Sequence, residues 1–131
     1  MADPANATEA QGAETVKRGD VFWAELKPRS GAEQRGRRPV IVISNDGFNL
    51  TPTWRSVIVV PVSTSATQAR RGPTAVALAA GSGGLPTASV AICHQITTLD
   101  RAKLTERLGA LSAPVIAAVE GGIKAALDLE G

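Results

Sequence analysis

The chain has 131 residues, one cysteine, no tyrosine and a net charge of +2. That length holds one domain with its own core, without disulfide or metal staples; the lone Cys93 excludes an internal disulfide framework and fits a reducing cytoplasm. No apolar run reaches the roughly 18 residues of a membrane-spanning helix, and Phe22, Trp23, Phe48 and Trp54 are too few aromatics for the stacking sheet of an RNA-recognition motif.

Residues 1–15, rich in Ala, Asn and Glu, lack hydrophobic periodicity and read as a disordered leader. They also lack the basic start and apolar block of a signal peptide. Residues 16–131 form the domain. Val21–Leu26 reads as a first strand, and Lys27–Arg37 as a long loop with Pro28, Gly31 and Gly36. Pro39 suits the first residue of a strand, and Val40–Ile43 is a β-branched run that suits a strand covered on both faces. Ser44–Gly47 is turn chemistry, and Phe48–Arg55 a loop or single helical turn, with Trp54 capping the core or stacking on a base. Ser56–Val62 is another β-branched strand, ended or bulged at Pro61. Thr74–Leu78 and Ser89–Ile96 are further strands, Asp100 caps a short turn, and Thr105–Leu108 is a strand or a helix end. Ser112-Ala113-Pro114 starts a helix, whose inner face carries Val115, Ile116, Val119, Ile123, Ala126 and Leu127. Gly121-Gly122 weakens it by about 1 kcal/mol per glycine but permits close packing. Strands without intervening helices predict a mainly β fold, a small antiparallel barrel with a C-terminal helix.

Charge is unevenly spread. Residues 17–71 hold ten Lys/Arg against four acids, while residues 72–131 hold four against five. This is the footprint of a polyanion partner, or else of a solubilising loop. Arg35, Arg37 and Arg38 cluster in it. Arg38, set before Pro39 at a strand mouth, has a rigid base and a free guanidinium suited to gripping phosphate; the alternatives are a carboxylate partner or plain solvation.

No metal-ligand cluster is visible, since Cys93 and His94 are neighbours on a strand and point to opposite faces. The Gly81–Gly84 stretch lacks the Lys-Ser/Thr of a phosphate loop. Chemistry without a cofactor must then use arginine, carboxylate and hydroxyl. Cleavage of RNA by its own 2′-hydroxyl needs those types: a base, a stabiliser of charge on phosphorus and a hydroxyl holding a phosphate oxygen. Glu33, Arg38 and Ser63 supply them.

RGDVFWAEL, GAEQRGRRPVIVISND, VIVVPVSTS and SVAICHQITTLDRAKL, in that order and spacing, resemble the MazF/PemK family of toxin endoribonucleases. The likeness runs from about Val16 to Leu129. It implies an SH3-like barrel (a MazF/PemK/CcdB-like fold), a homodimer, metal-independent cleavage of single-stranded mRNA without cofactor, and inhibition by a cognate antitoxin. By position, Arg38 matches the catalytic arginine, Ser63 (or Thr64 beside it) the catalytic hydroxyl, and Glu33 the candidate base. Contacts to RNA are then expected at Gln34, Arg18, Arg37, Thr64, His94 and Gln95. A non-catalytic module of the same fold, such as a topoisomerase poison or a DNA-binding regulator, is the alternative.

Overall fold

Consecutive residues of one strand feed two different cores, and this sets the architecture. In the computed structural model, which describes residues 15–26 and 36–130, Val40 and Val42 join Phe22, Ala24, Val57, Val59 and Leu104 in one apolar cluster. Ile41, between them, joins Val21, Val60, Val62, Leu78, Leu85 and Val119 in the other. The β-branched run is thus covered on both faces, as its composition requires.

Among the described residues there are seven strands: β1 (Asp20–Leu26), β2 (Gly36–Val42), β3 (Ser56–Ser63), β4 (Ala75–Leu78), β5 (Ser89–Ile92), β6 (Thr97–Asp100) and β7 (Leu104–Ala110). They pair antiparallel in the order β4-β5-β3-β2-β1-β7, with β6 also on β3. No described pairing joins β7 back to β4, so the sheet is barrel-like but not closed. The 3-10 turn Ser82–Gly84 packs against β7 instead. There Gly84 (φ 78°) comes so close to the Leu108 carbonyl that a Cβ would sit 2.1 Å from its oxygen.

Two short helices, α1 (Asp46–Asn49) and α2 (Ala66–Ala69), precede the long α3 (Ala113–Leu127). Ser112 takes the N-cap position of α3 without a side-chain cap bond, and Pro114 lies in the first turn. Val119 and Gly122 are buried against the sheet. Leu127, expected on that face, is exposed at the last turn.

Several boundaries differ from expectation. β2 begins at Gly36, so Pro39 lies inside the strand and not at its mouth. β3 runs on through Pro61 to Ser63. The strand predicted over 89–96 breaks after Ile92 into a 3-10 turn, Cys93–Gln95, before β6 begins. Asp100 does cap a turn, accepting from the Ala102 N–H at 2.8 Å. The loop 27–35 and the leader, except Thr15, lie outside the described residues.

The two adjacent glycines of α3 differ in surroundings. A Cβ on Gly122 would meet Cys93 Sγ at 2.6 Å and Val76 Cγ2 at 2.7 Å, whereas one on Gly121 meets nothing within 4 Å. Gly121→Ala is therefore expected to raise stability by about 0.5–1 kcal/mol through helix propensity. Gly122→Ala is expected to lower it by about 1–3 kcal/mol through overpacking. Urea unfolding of both variants checks the opposite signs.

Candidate active site

The β2–β3 ladder stops at Val40↔Pro61. Pro39 has no N–H to extend it, and Val62 and Ser63 pair with β5 instead. Two residues beyond the last rung, the same register sets Arg38 of β2 across from Ser63 of β3. The strands part there, leaving a cleft of about 260 Å³ lined by both residues. Trp23, Pro39, Arg37, Thr64, Leu85, Pro86, Thr87 and Ser89 also line it. Arg38 and Ser63, two of the three residue types singled out in the sequence, line the same cleft.

Arg38 is half-buried, and its Nε is buried with no hydrogen-bond partner among the described residues. Among the described residues it forms no ion pair. A buried N–H donor left unpaired is costly unless a ligand satisfies it. Arg101 shows the contrast. It is 1% exposed, and its guanidinium donates to the carbonyls of Trp54, Phe48, Asn49 and Thr51. Arg101 is spent on the backbone, whereas the half-buried Arg38 lines a cleft and keeps a buried donor unpaired among the described residues.

Ser63 is 5% exposed. Its Oγ accepts the Ser65 N–H at 3.0 Å, while Ser65 caps α2 by accepting from the Gln68 N–H at 3.3 Å. With that lone pair engaged, the Ser63 proton is free to be donated into the cleft. Thr64 lines the same cleft but is exposed. The oriented hydroxyl is therefore that of Ser63.

The remaining candidates separate in space. Arg37 lines the cleft, lies over the Trp23 ring at 4.6 Å and pairs with Glu106 at 3.1 Å. Glu33 and Gln34 lie outside the described residues. Arg18 is away from the lining: its guanidinium donates to Ile43 O at 3.2 Å and pairs with Glu120 at 2.5 Å, tying the start of β1 to α3. His94 and Gln95 stand in the turn after β5, not on a strand, and neither lines the cleft. Burial, then the Arg71 charge, holds the His94 pKa below its usual value. Burial pushes the Cys93 thiol up to about 11, which removes it as a nucleophile near neutrality. Trp54 does not cap the core: it is exposed and stacks on Phe48 at 4.6 Å. Among the described residues no carboxylate, histidine or cysteine lines the cleft.

Sequence reasoning missed Trp23 and the Leu85–Ser89 wall. Trp23 was within reach of a hairpin argument, since it pairs with Pro39 across β1 and β2. Leu85, Pro86 and Thr87 follow the 3-10 turn Ser82–Gly84 and Ser89 opens β5, so no single strand period signals them together.

The family described as PemK-like, MazF-like toxin of type II toxin–antitoxin system matches residues 17–127. Endoribonuclease EndoA of Bacillus subtilis is 37% identical over 115 residues, covering 87% of this chain and 96% of the relative. The crystal structure of MazF from Deinococcus radiodurans superposes with a TM-score of 0.72 at 28% identity, covering 88% of this chain and 98% of the other. A mycobacterial endoribonuclease in complex with its cognate antitoxin gives 0.66 at 25% identity, covering 89% and 97%.

A tetrahedral oxyanion placed in the cleft should find the Arg38 Nε–H. Titration with inorganic phosphate, followed by ¹⁵N NMR, is expected to shift the Arg38 Nε and Ser65 backbone resonances together. Arg38→Ala should abolish the Ser65 shift; a shift that persists would move the anion elsewhere.

Proposed function

This chain belongs to the PemK-like, MazF-like toxins of type II toxin–antitoxin systems, and from that premise we propose that its cleft cuts single-stranded RNA. The observation that carries this reading is the Arg38 Nε, unpaired among the described residues, across from the oriented Ser63 hydroxyl. The protein is an endoribonuclease toxin whose activity a cognate antitoxin restrains. It works in the cytoplasm as a homodimer. Among the described residues no helix is long and apolar enough to cross a membrane.

The nucleophile is the substrate's own 2′-hydroxyl: it gives its proton to a base and closes a 2′,3′-cyclic phosphate as the P–O5′ bond breaks, and the departing 5′-oxygen takes a proton from water. Arg38 donates to the non-bridging oxygens as negative charge grows on phosphorus, and the guanidinium, half-buried, needs little rearrangement to do so. With a pKa above about 12 in water, it stabilises charge and does not give up its proton. Ser63 donates to a second phosphate oxygen and fixes the in-line geometry. No described lining residue is a carboxylate or a histidine, so the base comes from elsewhere. Glu33, which precedes β2 in the sequence and lies outside the described residues, is the candidate. The donor set of guanidinium and hydroxyl offers a metal ion no hard anionic ligand, which supports cleavage without metal.

Positive charge in the first half of the chain suits both the RNA and the antitoxin. An acidic, amphipathic antitoxin segment would cover the cleft by folding onto it. Gln34, Arg37 and Thr64 are placed in this reading along the RNA path, by position for Gln34 and by cleft lining for the other two. Arg18 is a structural tie, and His94 and Gln95 are left outside it.

Arg38→Ala is expected to lower kcat/KM on single-stranded RNA by about 10²–10³ or more, the scale of losing a transition-state donor. Arg38→Lys should recover little, because a lysine has no forked donors. Ser63→Ala should cost more than Thr64→Ala, and Ser63→Thr should retain activity. Circular dichroism guards against misfolding, and a chelator should leave wild-type cleavage unchanged. Full activity of Arg38→Ala, or loss of cutting with chelator, would refute the mechanism. Mapping the 5′ ends of cleaved transcripts defines the recognised sequence.

A further inference from the structure

Trp23 is the one aromatic among the described residues lining the cleft, and the cleavage chemistry does not use it. It sits in the middle of β1 between Pro39 of β2 and Glu106 of β7. The Arg37 guanidinium lies over its ring, 4.6 Å from the centroid, and is tethered to Glu106 at 3.1 Å. The side chains of that ion pair are 47% and 64% exposed. Water and salt weaken contacts so exposed. The guanidinium is therefore a cover that a better anion can lift.

We propose that Trp23 is a base-stacking shelf and Arg37 its removable cover. The inference rests on the RNA reading above and specifies how the substrate is held. A phosphate beside the scissile one draws Arg37 away from Glu106, because phosphate offers charge and several acceptor oxygens at once. The uncovered indole face then receives the neighbouring nucleobase. Only an unstacked base fits, since a duplex keeps its bases stacked within the helix. The shelf therefore selects single strands, and the cover keeps the apolar face shielded while the cleft is empty.

Both tryptophans are numbered 23 and 54, so Trp54→Phe leaves Trp23 as the sole fluorophore. The probe is a 2′-O-methyl decamer spanning a mapped cut site, which binds but has no free 2′-hydroxyl to attack. Saturable quenching of Trp23 fluorescence is expected. By anisotropy, Trp23→Ala should weaken binding about tenfold, the order typical of one base stacked on an aromatic, and Trp23→Phe should restore most of it. Arg37→Ala should keep the quenching while the slope of log Kd against log salt falls by about one. If RNA is bound and cut without quenching, and Trp23→Ala binds as tightly as the unmodified chain, the shelf is overturned while the nuclease reading stands. An unchanged salt slope in Arg37→Ala overturns the cover. If the unmodified chain neither binds nor cuts RNA, both readings fall together.

Discussion

A break in one ladder governs this molecule. Between β2 and β3 the strand pairing runs from Val42↔Val59 to Val40↔Pro61 and then stops. Pro39 would be the next residue and has no proton to donate. On its other edge it remains paired to Trp23. At the corresponding point of β3, Val62 and Ser63 have turned to β5. Each strand is thus held on one side and free on the other, and the free sides face each other across a cleft. Proline inside a sheet is usually a defect confined to edges; here Pro39 ends a ladder inside the sheet, and Arg38 and Ser63 line the cleft beside that end.

Once the strands are apart, the difference between two arginines becomes intelligible. Arg101 and Arg38 both bring a cation into the protein, at a desolvation cost. The Arg101 guanidinium is solvated by four backbone carbonyls of the 48–54 segment, and it holds that segment against β6. Among the described residues Arg38 receives no such compensation at Nε. Nor does any described carboxylate line the cleft to neutralise it. A cation in that position is stabilised by an anionic substrate, and more so as that substrate gains charge. This is the electrostatic preorganisation expected of a site whose nucleophile arrives with the substrate.

The scaffold around the cleft is correspondingly rigid. The Ser65 N–H fixes the Ser63 oxygen, and Ser65 in turn caps α2. The Ser82–Gly84 turn, which leads into the lining residues Leu85, Pro86 and Thr87, is pressed against β7 at a distance only glycine allows. Arg37 is the exception. Its contacts to Trp23 and Glu106 are exposed, and they involve partners on two different strands. The Ser63 oxygen is held by the backbone, while Arg37 beside it is held only by exposed contacts.

The sequence by itself determined the kind of fold and the chemical types available. β-branched runs and turn residues carry the strands, the 3.6-residue period carries the closing helix, and the blocks around Arg38 and Ser63 carry the family. These signals are local, and each survives reading in one dimension. Tertiary structure decided what depends on register and burial. Pro39 and Pro61 read as strand boundaries because a lone strand cannot show which of its edges is paired. Trp54 read as a cap on the core or a stack on a base because hydrophobicity does not reveal that Phe48 meets it at the surface. His94 fell from a strand into a turn because β3 exchanges one partner for another at that point, an event recorded in no residue of the segment itself. The meeting of Arg38 with Ser63, and the placing of Trp23 beside them, follow from pairings between strands far apart in the chain. Such pairings are settled by the whole sheet, since one residue of slip would turn each of these side chains to the opposite face.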